Sequence, residues 1–87
     1  MVAEIKTIIY TQKFERDVKK IKDSFLKEKL EKQIRKVIEN AESGKPLKYG
    51  LKGEWTMYVR PYRLIYAIQG DRLILLRFEH RKEVYER

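Results

Sequence analysis

The sequence contains no cysteine, which excludes disulfide bonds, thiolate zinc sites and cysteine nucleophiles. It also contains a single histidine, His80, which is too few for a metal site built from histidines. No stretch approaches the roughly 20 apolar residues that a membrane-spanning helix requires, and the N-terminus reads as a strand rather than a signal peptide. We therefore expect a cytoplasmic protein with no membrane segment, no metal and no cofactor.

The chain is also poor in residues that interrupt regular structure. Its 87 residues include two prolines and four glycines, and no repeat, low-complexity tract or linker divides them. A chain of this length encloses one apolar core and buries roughly 60% of its unfolded surface. Because 43% of the residues are hydrophobic, the chain should fold. We predict a single domain over residues 1–87.

Negative charge is scarce relative to positive charge. The sequence has 21 Lys and Arg against 13 Asp and Glu, which gives a net charge of +8. Such a basic surface attracts polyanions and acidic proteins, so RNA, DNA or an acidic protein are the predicted partners. Abundant lysine and glutamate, with three Gln and one Asn, resemble the composition of hyperthermophile proteins and suggest a thermophilic source.

The first half of the sequence predicts one strand followed by two helices. Residues 3–9 alternate between the two sides of a strand. Thr11 can cap a short amphipathic helix, on which Asp17 belongs to the outward, polar face. Asp23 and Ser24 are the candidate caps of a longer helix with a strong apolar stripe, and residues 43–46, Ser-Gly-Lys-Pro, end it.

The second half predicts sheet, because from residue 47 the apolar period changes to two. Residues 55–59 and 62–68 form a predicted hairpin around Arg60-Pro61. Gly70-Asp71 is a two-residue turn that leads into a strand over residues 73–78. The predicted order is βααβββ. The fold class is α+β, with two helices packed on one face of an antiparallel sheet.

The last predicted strand has apolar residues on both faces. Simple alternation places Leu73 and Leu75 on one face and Ile74, Leu76 and Phe78 on the other. Two helices cover only one face of the sheet. We therefore expect the other face to form a concave, partly apolar surface for a partner.

Polar residues cluster near one end of the predicted sheet. Pairing through the Gly70-Asp71 turn places Arg63 near residue 78, and so close to the end of the last strand. This cluster is a phosphodiester site, in which arginines hold the phosphate and His80 or Tyr85 moves protons, or it is a solvated basic edge. Its members are Arg63, Arg77, His80, Arg81 and Tyr85.

Two other features also allow two interpretations. Lys19, Lys20 and Lys22 form a basic run that either binds RNA phosphates or solvates the first helix. Trp55 either stacks on a base or packs in the core, and core packing is the more common use of a large aromatic side chain in a small domain.

Three segments together resemble the RelE/ParE toxin superfamily. Residues 51–53 read Leu-Lys-Gly, residues 62–66 read Tyr-Arg-Leu-Ile-Tyr, and residues 80–85 read His-Arg-Lys-Glu-Val-Tyr. Their order and spacing match the family's motifs over nearly the whole chain. The resemblance implies the RelE-like fold and a toxin of a type II toxin–antitoxin system, which an acidic antitoxin wraps at rest. RelE-type toxins cleave mRNA in the ribosomal A site, whereas ParE-type toxins inhibit DNA gyrase.

The resemblance also implies four catalytic residues. Arg63 matches the family's phosphate-stabilising arginine, and Arg81 matches its C-terminal arginine. Tyr85 matches the terminal tyrosine that stacks on or positions the nucleotide. His80 falls where some members have a proton-transferring histidine.

This sequence departs from RelE at the strand before the Tyr-Arg motif. RelE has two lysines there, and the matching positions hold Thr56 and Tyr58. Arg60-Pro61 replaces the family's usual Gly-Asp turn, so Arg60 is expected to restore part of the positive charge. Lys48 and Lys52, in the preceding loop, are further candidates. The predicted RNA-binding residues are therefore Lys19, Lys20, Lys22, Lys48, Lys52 and Arg60.

These features predict a RelE-like toxin that cleaves mRNA on the ribosome without a metal. Its predicted partners are the ribosome, mRNA and an acidic antitoxin, with which it forms a hetero-oligomer. One alternative is a ParE-like gyrase inhibitor, which the missing lysine pair favours. The other is a decayed toxin that only binds its antitoxin.

Overall fold

The computed structural model describes residues 4–46 and 53–81, which form two helices and a five-stranded sheet. The strand order in the sheet is β1-β5-β4-β3-β2. No helix in these two ranges is long and apolar enough to cross a membrane. The elements are β1 (Thr7–Tyr10), α1 (Gln12–Lys19), α2 (Ser24–Glu39), a 3₁₀ turn (Ala41–Ser43), β2 (Lys45–Pro46), β3 (Glu54–Val59), β4 (Tyr62–Gln69) and β5 (Arg72–His80).

The predicted α+β class and order of elements are confirmed, with a two-residue strand, β2, added before β3. The direction of one strand requires a correction. Strands β2 to β5 pair antiparallel, but β1 pairs parallel with β5, so the sheet is mixed rather than antiparallel. A parallel pair requires a long crossover connection, which the helices and intervening strands between β1 and β5 provide.

The predicted Thr11 cap is confirmed, and of the two candidates Asp23 and Ser24 it is Asp23 that caps α2. The Thr11 hydroxyl accepts a hydrogen bond from the Phe14 amide at 3.2 Å and donates one to the Leu75 carbonyl at 2.7 Å. The Asp23 carboxylate accepts from the amides of Phe25 and Leu26 at 2.9 and 3.3 Å. The side chains thus satisfy amides that a helix start leaves unpaired, and Thr11 also ties α1 to β5.

A β-bulge in β5 changes the faces of its last residues. The pairing of β4 with β5 shifts by one residue between Ile65 and Tyr66, so that Leu76 is an extra residue on β5. Phe78 consequently packs in the core with Leu75 and is 2% exposed. The prediction that Phe78 lies on the opposite face from Leu75 was wrong, because simple alternation does not continue through a bulge.

The same bulge arranges the polar end of the sheet. Arg63 pairs with Glu79, one residue beyond the predicted partner, and Tyr62 pairs with His80. Because neighbouring residues of a strand point to opposite faces, His80 shares the helix-covered face with Tyr62. Arg63 belongs to the other face.

The core lies between the two helices and one face of the sheet. Trp55 is half-buried against it and stacks on Tyr66 with ring centroids 6.4 Å apart, so this indole has the core role. The largest fully buried side chains are Val37, Leu64, Ile65, Tyr66, Leu73 and Leu75.

A buried hydroxyl connects this core to the segment that follows α2. The Tyr66 hydroxyl donates to the Ala41 carbonyl at 3.0 Å and accepts from the Gly44 amide at 3.1 Å. A Cβ at position 44 would lie 2.5 Å from the Thr56 carbonyl oxygen and 2.6 Å from the Tyr66 hydroxyl. The close approach of backbone and ring therefore requires glycine here.

The prediction that Asp17 faces solvent was wrong. Its carboxylate is buried and accepts a hydrogen bond from the Phe78 amide at 2.9 Å, and Lys13 forms an ion pair with it. Pairing of β1 with β5 ends at Tyr10 and Leu75, so the Phe78 amide lies beyond the reach of that strand. Asp17 supplies the acceptor that a longer β1 would have supplied.

Ion pairs lie on the face of the sheet that the helices do not cover. Arg77 donates to Glu79 at 2.7 Å and to Glu54 at 3.0 Å. Burial by itself lowers the pKa of Arg77, but the hydrogen bonds to the two carboxylates outweigh burial and raise that pKa above its ordinary value. Ile65, which pairs with Arg77, is fully buried. The centre of this face is therefore not the open apolar surface that alternation predicts.

Candidate nucleic-acid interface

Three arginines line one cleft at the end of the sheet. The turn between β3 and β4 forms one side of this arginine cleft, and the end of β5 forms the other. The Arg81 amide donates to the Pro61 carbonyl at 2.9 Å, which holds these two parts together. The cleft has a volume of about 420 Å³ and is lined by Tyr58, Arg60, Pro61, Tyr62, Arg63 and Arg81. That volume lies within the range of small-molecule binding sites.

Arg63 is the most constrained cation of the arginine cleft. Its side chain is half-buried, and its Nε atom is buried without a hydrogen-bond partner among residues 4–46 and 53–81. Its cross-strand neighbour Glu79 is already hydrogen-bonded to Arg77. A buried donor without a partner costs about 1–3 kcal/mol, and the same guanidinium lines the cleft. The geometry therefore suits binding of a phosphate or carboxylate.

Tyr58, which occupies one of the two positions where RelE has a lysine, lines the arginine cleft. It lies directly opposite Arg63 on β3, and its side chain is 48% exposed. Gln33 of α2 donates to the Tyr58 carbonyl at 2.9 Å, which fixes this part of β3. An exposed ring beside a guanidinium can stack on a nucleic-acid base. Its in-register position opposite Arg63 was the available signal in the sequence.

Thr56, at the other position that matches a RelE lysine, does not line the arginine cleft. It is 5% exposed, and its hydroxyl has no hydrogen-bond partner within the described residues. Of the two positions, Tyr58 alone contributes to this cleft.

The structure places His80 in a different hollow from Arg63 and Arg81, the two arginines with which it was grouped. His80 lines a second hollow, between the α1–α2 turn and the β3–β4 turn, whereas Arg63 and Arg81 line the arginine cleft. His80 makes an edge-to-face contact with Tyr62, with the ring centroids 5.0 Å apart. Alternation along β5 is the reason for the separation, because adjacent residues point to opposite faces. Arg60 and Tyr62 border both spaces.

The predicted RNA-binding lysines also divide into groups. Lys20 and Lys22 line the second hollow, together with His80 and Arg60. Lys19 instead borders a separate hollow near the start of α1. Three further predicted site residues, Lys48, Lys52 and Tyr85, lie outside the described residues.

Residues 8–85 match the family model of the ParE toxin of type II toxin–antitoxin systems. The chain belongs to the RelE/ParE toxin superfamily. None of the curated proteins compared with this toxin has a significantly similar sequence.

Solved structures of related toxins have the same fold. The toxin is 28% identical to a chain of the RelBE2 toxin–antitoxin complex from Mycobacterium tuberculosis, covering 92% of this chain and 93% of that one with a TM-score of 0.72. It is 26% identical to a chain of the DinJ–YafQ complex from E. coli, with coverage of 90% and 96% and a TM-score of 0.69. A chain of the ParDE system from P. aeruginosa, at 15% identity, covers 90% and 98% with a TM-score of 0.68 and shows the fold alone.

Proposed function

We propose that this toxin cleaves mRNA on the ribosome without a metal. The observation that carries the proposal is the convergence of Arg60, Arg63 and Arg81 on one cleft beside the exposed ring of Tyr58. RNA cleavage by the neighbouring 2′-hydroxyl passes through a phosphorane with increased negative charge. Guanidinium groups placed around that charge stabilise the transition state more than the ground state.

Four residues of the arginine cleft have a proposed task. Arg63 binds the scissile phosphate through its guanidinium group, and Arg60 and Arg81 neutralise the remaining charge of that phosphate. Tyr58 stacks on an adjacent base. A base must also remove the 2′-hydroxyl proton, and an acid must protonate the departing 5′-oxygen.

The location of His80 changes which residues are proposed to transfer protons. Because His80 lines the other hollow, we assign it no proton-transfer step in the arginine cleft. Tyr85 is the proposed residue for one of these proton transfers, and it is also proposed to position the nucleotide. The ribosome aligns the 2′-oxygen with the phosphate. Such alignment can lower the activation barrier by several kcal/mol, and by about 7–11 kcal/mol in the best cases.

The partners follow from family membership and charge. We propose that an acidic antitoxin binds the toxin in a hetero-oligomer, as in the RelBE2 and DinJ–YafQ complexes, and that both act in the cytoplasm. The net charge of +8 favours both the antitoxin and RNA. The proposed contacts to RNA phosphates are Lys19, Lys20, Lys22, Lys48 and Lys52.

The test adds purified toxin, free of antitoxin, to ribosomes that carry a message with a defined codon in the A site. We expect cleavage within that codon, measured by primer extension. Arg63→Ala should slow cleavage by about 100-fold, as removal of one transition-state donor does elsewhere. The matched control is Arg72→Ala, which removes the same charge at the exposed start of β5. An uncut message with folded wild-type toxin would contradict the proposal.

Gyrase inhibition is the second candidate, favoured by the match to the ParE family model. This activity requires a binding surface but no proton-transfer residues. A DNA supercoiling assay separates the two candidates, because only the second predicts inhibition of gyrase. A toxin that binds its antitoxin but causes neither effect, and does not arrest growth when expressed, would be a decayed module.

A further inference from the structure

The second hollow carries an excess of positive charge. It has a volume of about 470 Å³ and lies between the α1–α2 turn and the β3–β4 turn. Lys20, Lys22, Lys29 and Arg60 line it. Asp23 is the acidic residue among its described lining, and its carboxylate is already used as the cap of α2. The hollow therefore suits a ligand with more than one negative charge.

Phe25 adds an exposed aromatic ring to the same hollow. Its side chain is 74% exposed, although it is the second residue of a helix whose apolar stripe faces the core. Only its backbone amide contributes to the helix cap, through the bond to Asp23. A single exposed apolar residue is ordinary on a protein surface. Phe25 differs from such isolated residues because cations line the same hollow. Single-stranded nucleic acids bind to aromatic rings that are flanked by positive charge.

The second hollow shares part of its lining with the arginine cleft. Arg60, Pro61 and Tyr62 line both spaces, so the β3–β4 turn forms the ridge between them. A strand whose phosphate binds at Arg63 can therefore continue over this turn toward Phe25. Arg60 lies where it can contact phosphates on either side of the ridge.

We propose that the second hollow binds a single-stranded segment of the RNA next to the cleaved phosphate. One unpaired base stacks on Phe25, and Lys20, Lys22 and Lys29 hold the phosphates beside it. This inference rests on the proposed function for the identity of the nucleic acid. A nucleotide uses both the lysines and the Phe25 ring, whereas a segment that offers only carboxylates would use the lysines alone.

The test measures binding of a 2′-O-methyl oligoribonucleotide of about twelve nucleotides, a length near the site size of single-strand binding domains. This probe lacks the attacking hydroxyl, so binding is separate from cleavage. Phe25→Ala should weaken binding by about tenfold, the effect of losing one base–ring stack. Tyr10→Ala is the matched control, because Tyr10 is 53% exposed but borders other hollows. The affinity of the Tyr10→Ala variant for the oligonucleotide should change by less than about twofold.

A second probe separates stacking from charge. An abasic oligonucleotide with the same number of phosphates should bind wild-type toxin and the Phe25→Ala variant equally. Lys20→Ala and Lys29→Ala should weaken binding of both probes. Phe25→Trp should retain the wild-type affinity for the base-containing probe, whereas Phe25→Leu should not, because leucine offers no flat ring.

Two results would overturn the inference. Equal affinity of wild-type and Phe25→Ala toxin for the base-containing probe would exclude stacking. Weaker binding of Phe25→Ala to polyglutamate, with unchanged binding to the oligonucleotide, would assign the surface to an acidic protein. The proposed function fails separately: if wild-type toxin cuts no message but Phe25→Ala still weakens oligonucleotide binding, only the cleavage proposal is wrong.

Discussion

The hydroxyl of Tyr66 joins strand β4 to the segment that follows α2. Its buried hydroxyl bonds both Ala41 and Gly44, and its ring stacks on Trp55. Burial raises the pKa of Tyr66 above its ordinary value of 10.0, and the bond from the Gly44 amide offsets part of this rise. The neutral phenol is therefore the form that the folded state favours.

Replacement of Tyr66 by phenylalanine tests this role. Tyr66→Phe should lower the free energy of unfolding by about 1–3 kcal/mol at neutral pH, because two buried backbone groups lose their partner. The measurement is urea denaturation followed by circular dichroism.

The pH dependence of that difference has a definite sign. Above about pH 10 the unfolded chain releases the Tyr66 proton while the folded chain retains it, so wild-type stability falls relative to the variant. The difference between wild type and Tyr66→Phe should be constant between about pH 7 and pH 9 and shrink as pH rises past about 10. A difference that stays constant to about pH 11 would contradict the burial effect.

At the scale of elements, the end of β5 depends on a helix rather than on a neighbouring strand. β1 ends opposite Leu75, and Asp17 of α1 takes over by accepting from the Phe78 amide at 2.9 Å. This contact lies just beyond the bulge that places Phe78 in the core. The last residues of β5, which lead to His80 and Arg81, are held by α1 from one side and by β4 from the other.

We expect Asp17→Ala to lower the free energy of unfolding by about 1–3 kcal/mol, since it leaves the buried Phe78 amide without an acceptor. Lys13→Met is the matched control. It removes the ion pair with Asp17 but keeps the bond to Phe78, and because Lys13 is largely exposed, the cost should stay below about 1 kcal/mol. Urea denaturation of both variants gives the comparison, and equal losses would assign the stabilisation to the ion pair.

The elements also differ in how far local sequence signals specify them. Thr11 and Asp23 cap their helices as predicted, because a cap depends on residues two or three positions away. Gly70 adopts a positive φ in the predicted two-residue turn for the same local reason. The bulge at Leu76 has no comparable local signal. It arises where β4 and β5 pair, and it decides which faces Phe78 and Arg77 occupy.

At the scale of the whole molecule, the net charge of +8 should make nucleic-acid binding depend strongly on salt. For single strands the slope of log K against log salt is about −0.7 per neutralised phosphate. Replacing Arg60, Arg63 and Arg81 together by alanine should therefore make the slope less negative by about 2. The measurement is oligonucleotide affinity over a series of salt concentrations.

The matched control for that experiment replaces Arg16, Arg35 and Arg72, which are exposed and border neither the arginine cleft nor the second hollow. Both triple variants lose the same net charge. If charge acts only through the overall field, the two slopes will change equally. A larger change for the cleft variant would show that the arginines contact phosphates directly.

The amino-acid sequence by itself determined the class of the fold, the helix caps, the turns and the basic character of the surface. These follow from periodicity, from residues close together in the chain and from net charge. Three features required the folded structure: β1 runs parallel to β5, Asp17 is buried, and His80 lines a different hollow from Arg63 and Arg81. The physical reason is that strand pairing and its bulge depend on contacts between distant residues, and a one-residue shift in register reverses the face of every side chain beyond it.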